Sequence, residues 1–286
     1  MQRSTLDLLY KTTIRSVIDY GLAVYYQDLK QTDQKKFNKL QYNAAKLVTS
    51  TLHYTSQEKL EVELGWETIT NRADCLGLSI FHKIYRNETR PLIKTCMPQY
   101  NLRKVDEDSN PTYVQFPYHN KKYSKSFFPF YTKQWNRLPR TVKLLQTDEF
   151  KKYLKDNMKP KKYKPYFKGD KYKNSLLTRI RVGRSFLNSH RYSTGQTDTP
   201  NCSCNDTDIE TPMHYITQCE LYSDARRTLF GRVEQFIPRF KNLSKKKQFE
   251  ILVHGYNINE VELNSINVRI LNATQFFIHQ TKRFLY

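Results

Sequence analysis

The sequence predicts a mainly α-helical protein, built as a helical bundle, a basic linker and a second, smaller helical domain. Apolar residues recur at helical spacing through the first hundred positions, glycines number only 8 of 286, and no segment alternates apolar and polar residues as a half-buried strand does. So few glycines also count against sandwiches, barrels and glycine-rich nucleotide loops. An apolar share of 38%, with 21 Tyr and 16 Phe, is too rich for a disordered chain. The length suits one large domain or two to three small ones.

A first helix is expected from Leu6, Leu9, Thr13, Ile14, Val17 and Ile18, ending at Tyr20-Gly21. A second carries Phe37, Leu40, Ala44, Leu47 and Val48 on one face, with Thr32 or Asp33 as cap. Thr55 and Glu58 read as a capping box before a short helix through Leu60 and Leu64. After Trp66-Glu67-Thr68 a long helix places Ile69, Ala73, Leu76, Ile80, Phe81 and Ile84 on one stripe. Each stripe is assigned to a core, giving a helical domain over 1–98.

From about 98 to 117 the periodicity dissolves into charges, Asn and Pro, with a candidate strand at Tyr113-Val114-Gln115-Phe116. Pro129 opens a helix containing Trp135, and Pro139 closes it. Val142, Leu145, Phe150 and Leu154 mark another helix to about Met158, completing a segment over 99–158. A basic linker follows over 159–175, then a C-terminal domain over 176–286.

Charge narrows the function. Lys and Arg total 48 against 27 Asp and Glu, so 48 − 27 leaves +21. That field attracts polyanions, nucleic acid foremost, and makes acidic small-molecule chemistry a poor expectation. No apolar run approaches the length of a membrane span, and the first residues lack an apolar signal region. An odd count of 5 Cys is no disulfide framework, which points to a reducing compartment, nuclear or cytoplasmic. Residues 151–184 hold thirteen Lys and Arg and two acids, Asp156 and Asp170, interleaved with Tyr153, Tyr163, Tyr166, Phe167 and Tyr172. Lysines answer phosphates and aromatic faces offer stacking for unpaired bases; a solvated linker is the competing account. Lys159-Pro160-Lys161-Lys162 also has the form of a nuclear-import patch.

The sharpest local pattern is Cys202-x-Cys204, nine residues, His214, four residues, Cys219. Four soft ligands within so short a span fit a tetrahedral structural zinc. His214 and Cys219 lie five positions apart, so a bend or helix end must aim both at one point. The surrounding Asn201, Asp206, Thr207 and Asp208 make a polar, turn-rich stretch that is no place for core cysteines. Cys75 and Cys96 lack partners at ligand spacing and read as ordinary thiols.

No catalytic constellation emerges. His53, His82, His254 and His279 lie in or beside helices without a Cys or Asp at catalytic spacing, and Asp106-Glu107-Asp108 falls in the least patterned stretch. There is no nucleophile elbow, no Walker loop and no Asp-Asp pair of the two-metal polymerase kind. The expectation is a binding protein, not an enzyme by itself.

Several runs nonetheless follow one another in a familiar order. They are Leu9-Tyr10-Lys11-Thr12-Thr13-Ile14 with Ile18-Asp19-Tyr20-Gly21, Leu40-Gln41-Tyr42-Asn43-Ala44-Ala45-Lys46, and Leu64-Gly65-Trp66-Glu67-Thr68-Ile69-Thr70-Asn71-Arg72. Ser126-Phe127-Phe128-Pro129, Gln134-Trp135-Asn136-Arg137-Leu138-Pro139 and Phe150-Lys151 come next. Thr178-Arg179-Ile180-Arg181-Val182-Gly183-Arg184-Ser185-Phe186-Leu187-Asn188 precedes the Cys/His motif, with Glu210-Thr211 and Tyr215 inside it. Gln275 and Thr281-Lys282-Arg283-Phe284 close the series. Together they resemble the C-terminal part of a non-LTR (LINE-like) retrotransposon reverse transcriptase, its thumb and its Cys/His knuckle tail. The family's fingers, catalytic aspartates and endonuclease have no counterpart here. Asn205 stands where a Gly commonly follows the second knuckle Cys, and asparagine tolerates the left-handed turn a Gly would supply.

The resemblance implies a thumb-like bundle that grips a primer–template duplex, and a knuckle tail that holds RNA template or DNA target. In that scheme Lys161, Lys162, Lys164, Lys168, Lys171 and Lys173 neutralise phosphates, Arg179, Arg181 and Arg184 line the approach to the knuckle, and Cys202, Cys204, His214 and Cys219 hold zinc. The partners implied are nucleic acid and the remainder of the retrotransposon polyprotein, with no membrane and no small-molecule substrate. Two alternatives remain: a retrotransposon-derived, zinc-containing protein-interaction module, and a polymerase subunit whose carboxylates come in trans.

Overall fold

The computed structural model describes residues 1–52, 54–105, 111–113, 120–158, 160 and 162–284, giving the backbone alone at 100–105, 111, 112 and 164. It is mainly helical, as the sequence predicts. In chain order come α1 (Arg3–Leu9), a π-helical turn (Tyr10–Ile14), α2 (Arg15–Asp19), α3 (Leu22–Tyr25), α4 (Gln31–Thr49), α5 (Gln57–Leu64), α6 (Ile69–Tyr85) and α7 (Pro91–Lys94). A short antiparallel pair, β1 (Tyr100–Val105) and β2 (Pro111–Tyr113), aligns Tyr100 with Tyr113 and Asn101 with Thr112. Of the candidate strand, Tyr113 belongs to β2; Val114, Gln115 and Phe116, like Asp106-Glu107-Asp108, His53, Lys159 and Lys161, lie outside the described residues.

Then follow α8 (Phe127–Asn136), α9 (Arg140–Lys143), α10 (Thr147–Met158), α11 (Lys171–Arg181), α12 (Asn188–Ser193), α13 (Pro212–Thr217), α14 (Ser223–Glu234), α15 (Lys245–His254) and α16 (Asn264–Gln280). Among the described residues no helix is long and apolar enough to cross a membrane.

The chain divides into two compact units that cut across the consecutive segments expected from the sequence. One comprises Met1–Leu9, Tyr42–Leu64 and Lys162–Tyr286; the other comprises Tyr10–Gln41 and Gly65–Lys161. The physical reason for the first grouping is a buried ion cluster. Glu63 on α5 accepts from Arg3 on α1 at 3.0 Å and from Arg181 on α11 at 2.9 Å. Thr178 donates to the same carboxylate at 2.9 Å. Burial alone would raise the Glu63 carboxyl, but the guanidiniums of Arg181 and Arg3 prevail and hold it below its ordinary value. Removing one member would strand a buried charge, so this cluster ties together chain segments far apart in sequence. In the same unit α16 packs against α11, α14 and α15, burying Ile270, Leu271 and Phe277.

The other unit holds two aromatic-rich cores. Ile18, Leu22, Tyr26, Ile69 and Ala73 make one; Phe81, Tyr131, Trp135, Val142, Phe150 and Leu154 dominate the other. Gly77 on α6 is required there: a Cβ would stand 1.9 Å from the Tyr131 ring. That close approach lets Tyr131 donate to the Ala73 carbonyl at 2.9 Å. Tyr10 stacks on Trp66 with centroids 4.3 Å apart and donates to Gln41 at 3.0 Å. Arg72 bridges Asp19 and Glu67.

Two expected stripes are corrected. Leu9 and Val17 are 48% and 73% exposed, whereas Arg3, Asp7, Tyr10 and Ile18 are buried. The π-helical turn takes more residues per turn than the ordinary helix and rotates the buried face off the simple periodicity. On α4, Ala44 and Val48 are buried but Leu47 is 70% exposed. Thr55 also differs from its expected capping role, since its hydroxyl donates to the Leu52 carbonyl at 2.9 Å.

Candidate metal centre

A tight turn and a helix end build this site. Cys202 and Cys204 lie on a turn closed by the Cys202 N–H to the Asp208 carbonyl at 2.7 Å and the Glu210 N–H to the Pro200 carbonyl at 2.9 Å. Asn205 shapes the turn through its side chain: Oδ1 accepts the N–H groups of Thr207 at 3.1 Å and Asp208 at 2.7 Å. Asn205 is absent from the residues with positive φ, so it shapes the turn through its side chain and does not use the left-handed conformation that asparagine tolerates.

Thr211 caps α13, its hydroxyl accepting the His214 N–H at 3.1 Å. His214 therefore sits in the first turn. The helix stops at Thr217, and the N–H of Cys219 returns to the His214 carbonyl at 2.8 Å. This is the helix end that the five-position spacing demands, and it aims both side chains at one point.

The ligand atoms of Cys202, Cys204, His214 and Cys219 all lie within 4.8 Å of one another. Cys202 and Cys219 sulfurs are 3.5 Å apart, and His214 Nε2 is 3.3 Å from the Cys204 sulfur. A tetrahedral ion with bonds of about 2.3 Å separates sulfur ligands by roughly 3.8 Å, so small adjustments suffice to enclose one. All three thiols are free of disulfides. The cluster can hold a metal ion, and three sulfurs with one imidazole suit soft divalent cations, zinc among them.

Electrostatics set what such an occupant must do. Burial pushes the Cys219 thiol up to about 12 and raises Cys202 as well, so a cation is what would draw thiolates from this site at neutral pH. Arg226 Nη1 is buried without a hydrogen bond, and Cys219 is the group whose charge acts on that guanidinium. A thiolate there would supply the missing anion. Asp208 Oδ2 stands 3.8 Å from His214 Nδ1, beyond hydrogen-bond reach, and accepts from the Asn205 amide at 2.9 Å.

The centre is anchored by residues far apart in the chain. Arg283 donates to both oxygens of the buried Glu210 carboxylate at 2.7 Å and to Asn188 at 3.2 Å. Glu210 also accepts the Asn188 N–H at 2.6 Å. Tyr215, beside His214, donates or accepts with Thr281 at 2.5 Å and packs against Phe277 and Phe284. Seventy-three positions separate Glu210 from Arg283, so no local spacing could announce the pair.

The expected phosphate-binding residues fare unevenly. Arg181 is corrected: its side chain is 3% exposed, paired to Glu63, bonded to the Val253 carbonyl at 3.2 Å and laid 3.9 Å over Tyr166. It serves the interior. Lys162 reaches Asp7 at 2.6 Å and lies 3.9 Å above Phe167. Arg179 and Arg184 are half-buried and donate to the carbonyls of Ser50 and Tyr54 at 3.0 and 3.2 Å. Lys168 is exposed, and Lys171 and Lys173 are half-buried. Lys161 and the Lys164 side chain lie outside the described residues.

The remaining expected bystanders have structural roles. His82 is stacked 4.1 Å from Phe150 and bonded to the Leu145 carbonyl, and burial lowers its basicity. Cys75 is a buried thiol near Met158, and Cys96 is exposed. No protein-family model, no curated protein and no solved structure matches the chain.

Proposed function

We propose that the chain is a nucleic-acid-binding module equivalent to the C-terminal portion of a non-LTR retrotransposon RNA-directed DNA polymerase. In this proposal it grips template, primer or target and does not polymerise by itself. The convergence of Cys202, Cys204, His214 and Cys219 on one point, in a chain of charge +21, carries the assignment. Zinc is the metal proposed, with a structural role because four protein ligands leave no position for substrate. When bound, it would supply a fixed cross-link between the 200–210 turn and the end of α13.

The chain's own residues then do the binding. Lys168, Lys171 and Lys173 offer cations to phosphates, with Arg179 and Arg184 held in place by backbone carbonyls. Neutralising each phosphate releases counterions, so affinity should fall linearly with salt on logarithmic axes.

The test is equilibrium binding of the purified chain to labelled RNA hairpin, single-stranded DNA and duplex DNA across salt, before and after chelation. Salt-dependent binding that weakens on chelation is expected. Binding that is weak, flat in salt and indifferent to chelation contradicts the proposal and favours a protein partner.

A further inference from the structure

A groove of about 620 Å³ runs along α14 and α16, within the roughly 300–1,000 Å³ of sites that hold small ligands. Arg232 lies in the last turn of α14 and Phe236 just beyond its end, while Arg269 and Phe276, seven apart on α16, share a helical face. The two helices exchange contacts across it. Arg232 of α14 lies 4.3 Å from the Phe276 centroid, and Arg269 of α16 lies 5.5 Å from that of Phe236.

The groove's charge is uncompensated. Arg232, Arg269 and the Lys173 ammonium make no hydrogen bond or ion pair among the described residues, unlike Arg3, Arg72, Arg181 and Arg283, which all end on carboxylates. The groove's single carboxylate, Asp170, caps α11 by accepting the Lys173 N–H at 3.0 Å. Three cations less one anion leave 3 − 1 = +2 over the groove.

We propose that this groove seats an unpaired nucleotide of a single-stranded nucleic acid, its phosphate between Arg232 and Arg269 and its base against the Phe236–Phe276 pair. The inference rests on the nucleic-acid function proposed above and adds where an unpaired strand lies. A simple anion would need the guanidiniums alone. Here Phe276 is 42% exposed beside them, and the exposed amides of Gln235 and Asn272 stand where base edges could meet them. Guanidinium planes held on rings are ready partners for a base, and only an unpaired base presents its face. Duplex would reach these cations with phosphates only.

The test is titration of the full chain with a fluorescein-labelled uridine 12-mer and with a 12-base-pair DNA duplex. The variants are Arg232→Gln/Arg269→Gln, Phe276→Ala, and Phe276→Leu, which keeps apolar packing and removes the ring. Circular dichroism and metal content check that each folds. Phe276→Ala and Phe276→Leu are expected to weaken the single strand about 5- to 150-fold, a stacked base by the usual measure, while duplex affinity shifts less than about threefold. The double Arg variant should weaken the single strand at least about tenfold and flatten its salt slope by about 0.7, one phosphate's worth.

If the wild type binds both probes and the Phe276 variants bind the 12-mer as tightly, the groove is overturned and the broader function stands. Equal losses for strand and duplex overturn it too, leaving only an electrostatic surface. A wild type that binds neither probe removes both proposals together.

Discussion

Arg283 closes on the Glu210 carboxylate with two hydrogen bonds of 2.7 Å, one from Nε and one from an Nη. Glu210 ends the turn that carries Cys202 and Cys204 and precedes the Thr211 cap of α13, where His214 sits. The pair therefore fixes the entry to the metal centre from the far end of the chain. Arg283→Ala leaves the buried carboxylate without its counter-charge and should cost about 3 kcal/mol in chemical denaturation. It should also weaken metal retention against a competing chelator about 10-fold or more, as loss of outer support does at other metal sites. Unchanged metal affinity would mean that the turn holds its shape alone.

Asn205 allows a sharper discrimination. Its Oδ1 accepts two backbone N–H groups, and its backbone does not take positive φ. Asn205→Ala should lose about 1 kcal/mol, and Asn205→Gly should not recover it. Asn205→Asp keeps the acceptor but puts a carboxylate where the amide donates to Asp208 Oδ2 at 2.9 Å, so it should recover only part of the loss. Recovery by glycine in thermal melts would restore the left-handed reading of this position.

Gly77 tests the packing of the unit around Trp135. A methyl group there meets the Tyr131 ring at 1.9 Å, so Gly77→Ala must displace the ring and its bond to the Ala73 carbonyl. Despite alanine's better helix propensity, a loss of about 1–3 kcal/mol in urea unfolding is expected. A gain in stability would show that Tyr131 yields freely.

Asp74 supplies a pH signature. Burial raises its carboxyl to about 6, against the downward pull of the Gln27 amide at 2.8 Å. A folded-state value above the unfolded one favours the protonated form, so this contribution is full below about pH 4 and is lost as pH rises toward 6. Asp74→Asn should therefore stabilise the chain by about 1 kcal/mol at pH 7, less than a fully buried carboxyl would give, and change little at pH 4. Equal effects at both pH values in denaturant titrations would contradict the assignment.

The Cys/His cluster was legible because its information is local: four donors within a short polar stretch, and a five-position gap that requires a helix end after His214. The helical class was legible for the same reason, since periodicity and scarce glycine act residue by residue. What was hidden depends on distant partners. Arg181 looks like a phosphate ligand among neighbouring cations until Glu63, 118 positions away, claims it. The first helical stripe was misread because a π-helical turn at Tyr10–Ile14 rotates the buried face, and nothing in the apolar pattern marks that turn. The groove cations Arg232 and Arg269 stand outside the Lys-rich stretch and come together only where α14 meets α16.

The most direct measurement is zinc-edge X-ray absorption of the full chain purified from zinc-containing medium, alongside its metal content. One zinc per chain is expected, with three sulfurs at about 2.3 Å and one nitrogen at about 2.0 Å. Cys219→Ser should then lose the metal or one sulfur from that shell. A chain that folds and binds nucleic acid without retaining zinc, or a shell made mainly of oxygen, would contradict the four-residue centre.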